Sequence, residues 1–172
     1  MYNALPVVTS EGEQRGYNPD FKNSTYFHVY NNLINHERLI ETAKKYGYKI
    51  KFCLHPSLSE QTKDFEEKNN EYVEICKKKL NYQKEFKCSR VLITDYSSVF
   101  FDFAVTGKKV ILFAYDKEKY LSTRGTYMPF EALPFPIVEQ VDEVIKEMDT
   151  PYEVSESFLK EYCPNGSKDS CE

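Results

Sequence analysis

Two short apolar segments with a helix-length stretch between them constrain the fold of this chain more than any other feature. Val91–Thr94 and Val110–Tyr115 are apolar at nearly every position, and Ser97–Val105 between them has the composition of a buried helix that ends at Gly107. Strands that are apolar on both faces are typical of a parallel sheet covered by helices on either side. The segments therefore predict an α/β fold.

The rest of the chain extends this alternation of strands and helices. Apolar residues at helical spacing from Leu33 to Tyr46 predict an amphipathic helix that begins at Asn31 or Asn32 and ends at Gly47. We further predict a loop at 9–25, strands at 49–54, 72–76 and 137–139, an exposed helix at 59–69, and helices at 79–88, 141–148 and 155–162. The order predicts a doubly wound, Rossmann-like parallel sheet with helices on both faces, a fold that binds ligands outside the carboxyl ends of its strands.

Length and charge limit the partners of such a fold. The 172 residues fit one domain, and we predict that it extends over residues 1–172. Within it, we expect residues 1–23 to be partly irregular and the fold to be truncated at 165–172. A formal net charge of -4 gives no general attraction to nucleic-acid phosphates or anionic lipid, so any anion site must be local. The sequence has no run of about 20 apolar residues and no signal peptide at its start, which predicts an intracellular protein.

The cysteines agree with an intracellular setting. The five residues, an odd number with no C-x-x-C pair, are Cys53, Cys76, Cys88, Cys163 and Cys171. This pattern favours neither a zinc site nor a disulfide framework. We therefore expect reduced thiols and no bound metal at these positions.

Polar residues follow three of the predicted strands at the point where each strand ends. They are His55, the run Asp95-Tyr96-Ser97-Ser98, and Asp116, and the fold would bring them to one edge of the sheet. Ser97 and Ser98 stand at the start of a predicted helix, where backbone N–H groups and the helix dipole favour a phosphate. A helix cap formed by Asp95 or Ser97 explains the same residues, so both interpretations stay open.

Two further side chains could contribute chemistry at this edge. Pro56 holds the backbone of His55 outside the helical region, and an imidazole there can act as an acid, a base or a hydrogen-bond donor to phosphate. A purely structural role for His55 is the alternative. Arg124, beside Gly125 in a predicted loop, could reach a phosphate from the mouth of the site.

An ordered series of motifs carries a resemblance to a known family. They are Leu54-His55-Pro56, then Leu92-Ile93-Thr94-Asp95-Tyr96-Ser97-Ser98-Val99-Phe100-Phe101-Asp102, then Tyr115-Asp116, Tyr120 and Arg124-Gly125. Together they resemble the CDP-glycerol glycerophosphotransferase family of teichoic-acid polymerases and primases, over about residues 24–164. The resemblance implies the C-terminal, donor-binding lobe of a two-lobed glycosyltransferase fold of the B type (GT-B).

The resemblance also implies a reaction and its participants. Such an enzyme transfers glycerol phosphate, or ribitol phosphate, from its CDP conjugate to a hydroxyl of a growing polymer and releases CMP. The implied partners are the CDP-polyol donor, a polyol-phosphate polymer as acceptor and an N-terminal acceptor lobe, with no nucleic acid. No resident cofactor is implied, and the use of a divalent metal is left open. The implied location is the cytoplasm, or the inner face of the cell membrane as a peripheral protein.

Individual residues receive roles from the same resemblance. His55 matches a histidine needed for activity, which would stabilise or protonate the group that leaves when the donor's pyrophosphate bond breaks. The positions that match contacts to the donor phosphate or nucleotide are Thr94, Asp95, Ser97, Ser98, Arg124 and Gly125, together with Ser167 in a small-residue turn. For Asp95 and Asp102, helix capping and core hydrogen bonding explain the residue about as well.

Two departures from the family pattern keep other functions open. The family has a second essential histidine in an upstream His-Gly motif, and these 172 residues contain no His-Gly dipeptide and no counterpart of the N-terminal lobe. A non-catalytic nucleotide-binding or regulatory module and a GT-B lobe that binds a nucleotide sugar are therefore alternatives. A receiver domain phosphorylated on Asp95 fits less well, because Glu11 and Glu13 do not form the acidic pair that it needs.

Overall fold

The computed structural model describes residues 5–9, 12–65, 71–76, 81–124, 129–152 and 156–162. The chain divides into two compact units, Met1–Leu80 and Asn81–Glu172.

The first unit combines two strand pairs with helical segments. Its elements are β1 Leu5–Thr9, β2 Gly12–Gly16, a 3-10 helix Phe21–Asn23, α1 Thr25–Ile34, α2 Glu37–Tyr46, β3 Ile50–Phe52, a 3-10 helix Pro56–Asp64 and β4 Val73–Ile75. β1 pairs with β2 in antiparallel orientation, and β3 pairs with β4 in parallel orientation. The loop predicted at 9–25 is wrong at β2, because an antiparallel strand pair is held by backbone hydrogen bonds and does not require an apolar period.

The single helix predicted up to Gly47 is two helices. α1 begins after Ser24, whose hydroxyl accepts the Phe27 N–H at 3.1 Å, and α2 begins after His36, whose backbone is extended with ψ 125°. The prediction of Asn31 or Asn32 as the first cap is therefore wrong. Gly47 does end α2, in the left-handed conformation with φ 65° that glycine adopts without strain.

The helix predicted to be exposed at 59–69 also differs in its described part, residues 59–65, while 66–69 lie outside the described residues. The chain forms the 3-10 helix Pro56–Asp64, and several of its side chains are buried: Leu58, Gln61, Thr62 and Asp64. Gln61 can be buried because its amide keeps its hydrogen bonds. The amide nitrogen donates to Gly16 O at 3.0 Å, and the amide oxygen accepts the Asn18 N–H at 3.2 Å. These two hydrogen bonds tie the 3-10 helix to the end of β2 and to the residues that follow it.

Aromatic rings fill the core of the first unit around β3. The Phe65 ring lies 4.8 Å from that of Phe52, 5.1 Å from that of Phe27 and 5.9 Å from that of Phe21. Phe21 and Phe65 are almost completely buried. This packing fixes the end of β3, and with it the backbone that leads to His55.

The second unit contains a three-stranded parallel sheet. Its elements are α3 Tyr82–Cys88, β5 Val91–Thr94, α4 Val99–Ala104, β6 Lys109–Phe113, α5 Lys117–Arg124, a 3-10 helix Phe130–Ala132, β7 Ile137–Val138, α6 Val141–Asp149 and α7 Glu156–Tyr162. The strands lie in the order β5-β6-β7, and both pairings are parallel. The predicted strands and helices of this half are confirmed, with ends shifted by a few residues, and Gly107 takes φ 69° after α4.

The sheet of the second unit is covered on both faces, as predicted for its apolar strands. Val110, Leu112 and Ala114 pack into a cluster with aromatic residues that include Phe103 of α4 and Phe158 of α7. On the other face of β6, the ammonium of Lys109 donates to Glu147 O and Thr150 O at the end of α6. The predicted α/β class with parallel strands between helices is confirmed.

Candidate functional site

The carboxyl ends of the strands in the second unit form a polar edge. Thr94, the last residue of β5, is opposite Leu112 of β6, so the residues that follow the two strands emerge side by side. The Tyr96 hydroxyl donates to Asp116 Oδ1 at 2.9 Å and links the two loops directly. The prediction that the Asp95 loop and Asp116 share one edge is thus confirmed by geometry.

Tyr96 anchors this polar edge. Its ring stacks on that of Tyr120 with centroids 3.6 Å apart and planes 9° apart, and it lies 5.4 Å from the Phe130 ring. Burial and the hydrogen bond to Asp116 both raise the pKa of Tyr96 above its usual range, and burial raises that of Tyr115 as well. The Tyr96 phenol therefore stays protonated, and remains a hydrogen-bond donor, to a more alkaline pH than an ordinary tyrosine does.

The turn between β5 and α4 holds the two serines. Asp95 Oδ1 accepts the Ser97 N–H at 3.1 Å and closes a local turn. The helix cap predicted at Asp95 or Ser97 is wrong, because Ser98 is the residue that precedes α4. Ser98 is exposed and precedes the first residue of α4, and its hydroxyl makes no capping bond. The Ser97 and Ser98 carbonyls accept the N–H groups of Phe100 and Phe101 at 3.3 and 3.0 Å, which starts the helix. The serine side chains therefore stand where the first turn of α4 begins.

His55 lies in the first unit. It follows β3, is exposed, and caps the 3-10 helix Pro56–Asp64. Its Nδ1 accepts the Ser57 N–H at 3.2 Å and lies 2.7 Å from Ser57 Oγ. Because Nδ1 is an acceptor, the neutral ring carries its proton on Nε2. The ring is thus oriented by a local turn, with Nε2–H as its donor.

The remaining predicted site residues lie at the limits of the described chain. Arg124 is the last residue of α5 rather than part of a loop, so that prediction is wrong; the segment Lys117–Arg124 has too few apolar residues to show a helical stripe. Gly125 and Ser167 lie outside the described residues. Sequence analysis singled out Asp116 but missed its bond to Tyr96, although both belong to the motifs quoted above.

Among the residues that the structure describes, no three His, Cys, Asp or Glu side chains come together in a way that could hold a metal ion. No helix in the described parts of the chain combines the length and apolar character that a membrane span requires.

A polar edge at the carboxyl ends of parallel strands is where α/β proteins bind their ligands, and the sequence carrying that edge matches a known family. The match is to the model described as CDP-Glycerol:Poly(glycerophosphate) glycerophosphotransferase and extends over residues 11–166. The chain belongs to this family, as its motifs predict.

Relatives of known function are proteins of teichoic-acid biosynthesis. The minor teichoic acid biosynthesis protein GgaB of Bacillus subtilis is 42% identical over 161 residues, which cover 91% of this chain and 17% of that protein. The teichoic acid ribitol-phosphate polymerase TarK of Staphylococcus aureus is 28% identical over 87% of this chain and 27% of its own length. The chain therefore spans about a quarter or less of the length of these two relatives.

Solved structures of the wall teichoic acid polymerase TagF have the same fold. A histidine-to-alanine variant superposes with a TM-score of 0.60 at 26% identity, over 87% of this chain and 36% of that one. A histidine-to-asparagine variant soaked with CDPG gives a TM-score of 0.56 at 27% identity, over 77% of this chain and 32% of that one. These similarities confirm the predicted fold, a lobe of the GT-B type.

Proposed function

We propose that this chain is the donor-binding part of a glycerophosphotransferase of teichoic-acid or related cell-surface polymer biosynthesis. The enzyme would take glycerol phosphate or ribitol phosphate from its CDP conjugate, pass it to a hydroxyl of a polyol-phosphate polymer and release CMP. The observation that carries the proposal is the anchored turn Asp95-Tyr96-Ser97-Ser98 at the carboxyl edge of the sheet, in a chain of this family.

The turn offers donors that suit a diphosphate. The N–H groups of Ser97, Phe100 and Phe101 are already bonded. The phosphate contacts would therefore come from the two serine hydroxyls and from the N–H groups of Ser98 and Val99. The bond from Tyr96 to Asp116 and the stack on Tyr120 hold the turn in place before the donor arrives. Preorganised donors of this kind lower the cost of stabilising charge that develops during transfer.

His55 would act on the leaving group. In the transfer, an acceptor hydroxyl attacks the phosphorus that carries the polyol, the bond from that phosphorus to the bridging oxygen breaks, and CMP departs. The departing phosphate gains negative charge, which the Nε2–H of His55 can stabilise or neutralise by donating its proton. The fixed orientation of the ring through Ser57 supports this role.

The family relationship also suggests where the protein works. We infer that it acts in the cytoplasm or at the inner face of the cell membrane, together with an acceptor lobe and a polymer acceptor. Its relatives GgaB and TarK, named for teichoic-acid biosynthesis, support this inference.

Calorimetric titration with CDP-glycerol and with CDP tests the binding claim. We expect saturable binding of both ligands. Replacing both Ser97 and Ser98 by alanine should weaken the affinity by about 100-fold or more, because two hydrogen bonds to a charged group, each worth about 1.5–3 kcal/mol, are lost. Ser89→Ala is the matched control, since Ser89 lies at the amino end of β5. No heat with either ligand in a folded sample would overturn the proposal.

The role of His55 is tested in a protein that also carries the acceptor lobe. His55→Ala should leave the affinity for CDP within about twofold and reduce kcat by about 100-fold or more, the usual contribution of a positioned acid. Equal losses in nucleotide affinity and kcat would contradict a role confined to the leaving group.

A further inference from the structure

We propose that Cys53 and Cys76 form a redox-active dithiol that a small-molecule disulfide oxidises to an intrachain disulfide. The two residues directly follow β3 and β4, whose register pairs Phe52 with Ile75. The Cys76 N–H donates to Phe52 O at 2.8 Å, so the two strands stay paired up to the cysteines. The two Sγ atoms lie 2.9 Å apart.

The backbone geometry suits a disulfide without rearrangement. Neighbouring strands lie about 4.8 Å apart, and the Cα atoms of disulfide-bonded cysteines are usually about 4.4–6.8 Å apart. Cysteines at opposite positions of two paired strands have their side chains on the same face. Closing the bond therefore requires only side-chain rotation.

A reagent can reach the pair. Cys53 is exposed and Cys76 is half-buried, whereas the core beneath them is formed by side chains such as Val73 and Ile75. A thiolate at Cys53 can therefore attack an external disulfide, and Cys76 is in place to complete the exchange.

The oxidation proceeds by two successive thiol–disulfide exchange steps. The Cys53 thiolate attacks one sulfur of the external disulfide, a mixed disulfide forms, and one thiolate leaves. The Cys76 thiolate then attacks the Cys53 sulfur and expels the second thiolate. The protein loses two electrons and two thiol protons, and the external disulfide is reduced to two thiols that take up those protons.

Oxidation would tie together the ends of both strands next to a site residue. Cys53 lies two positions before His55, so the bond would fix the carboxyl end of β3 from which the His55 turn starts. It would also close a chain loop between residues 53 and 76, which restricts the unfolded state and raises the melting temperature.

The experiment uses the full chain with Cys88, Cys163 and Cys171 replaced by serine, so that only the pair remains. After exposure to oxidised glutathione, thiols are blocked under denaturing conditions and the intact mass is measured. We expect both thiols to disappear, a mass lower by two hydrogens with no glutathione retained, and a higher melting temperature than in the reduced protein. Circular dichroism of the reduced protein confirms that this variant is folded.

Single-thiol variants are the matched controls. Cys76→Ser and Cys53→Ser in the same background should each retain one glutathione and show no rise in melting temperature. The same reaction in denaturant should favour the intrachain disulfide less, by on the order of tenfold or more, because the fold no longer holds the thiols together. A folded protein that keeps glutathione on both cysteines, stays reduced, or closes the bond no better than the denatured chain overturns the proposal.

Discussion

Removing the hydroxyl of Tyr96 should loosen the polar edge while leaving its ring in place. Tyr96→Phe deletes the donor to Asp116 Oδ1 at 2.9 Å and keeps the stack on Tyr120. A hydrogen bond to a charged acceptor contributes about 1.5–3 kcal/mol. Because Asp116 is only half-buried, water can replace part of the bond, so we expect a loss of about 1.5 kcal/mol in the stability of the second unit.

A double-mutant cycle measures this bond directly. Tyr96→Phe, Asp116→Ala and the double variant are compared by native-state hydrogen exchange at Ile111 and Leu112, two fully buried positions of β6. We expect a coupling energy of about 1 kcal/mol or more between the two sites. Tyr82→Phe, which removes an exposed hydroxyl on α3, should change stability by less than about 0.5 kcal/mol. A coupling energy below about 0.3 kcal/mol would show that the bond does not hold the edge together.

The other predictions concern stability. Gln61→Ala removes a fully buried amide that bonds Gly16 O and the Asn18 N–H. It should lower the free energy of unfolding in urea by about 2–4 kcal/mol, and a loss under about 1 kcal/mol would contradict the anchoring role of Gln61. Lys109→Met keeps the length of the side chain but loses two bonds to the end of α6, so hydrogen exchange in the last turn of α6 should accelerate by about tenfold; unchanged exchange would count against this cap. Burial raises the pKa of Tyr152 to about 12, so as the pH rises the unfolded state loses the phenol proton before the folded state does. The free energy of unfolding should therefore fall between about pH 10 and pH 12, by up to about 1.4 kcal/mol per pH unit. Tyr152→Phe should flatten that fall, and an identical alkaline slope in both proteins would exclude Tyr152 as its source.

The apolar strands of the second unit could be predicted because their apolar residues are consecutive in the sequence, which indicates a strand buried on both faces. Lys109–Phe113 is buried at every position, as expected for a strand in the middle of a covered parallel sheet. Gly107, at a position with φ 69°, marks the end of the preceding helical turn for an equally local reason. From these elements the position of the sheet's carboxyl edge could also be predicted.

The features that sequence analysis missed depend on contacts between distant residues. The break before α2 leaves the apolar period intact, so only the extended backbone of His36 reveals it. The buried Gln61 depends on a partner at Gly16, 45 positions away, and the bond from Tyr96 to Asp116 spans 20 positions. The proximity of Cys53 and Cys76 likewise requires the pairing of β3 with β4, which cysteine spacing does not encode.

Two substitutions of Asp95 distinguish a role in the local turn from a role in donor binding, because asparagine removes the charge and keeps the shape of the side chain. Its Oδ1 accepts the Ser97 N–H at 3.1 Å, an acceptor role that asparagine fills equally well. Asp95→Asn should therefore preserve stability within about 0.5 kcal/mol, while Asp95→Ala should lose about 1 kcal/mol. A carboxylate beside a bound diphosphate repels it. If Asp95 only caps the turn, Asp95→Asn should therefore bind CDP-glycerol as tightly as the native protein or more tightly. A loss of about tenfold in affinity with unchanged stability would instead mean that the charge of Asp95 contacts the donor, on a hydroxyl or amino group rather than on phosphate.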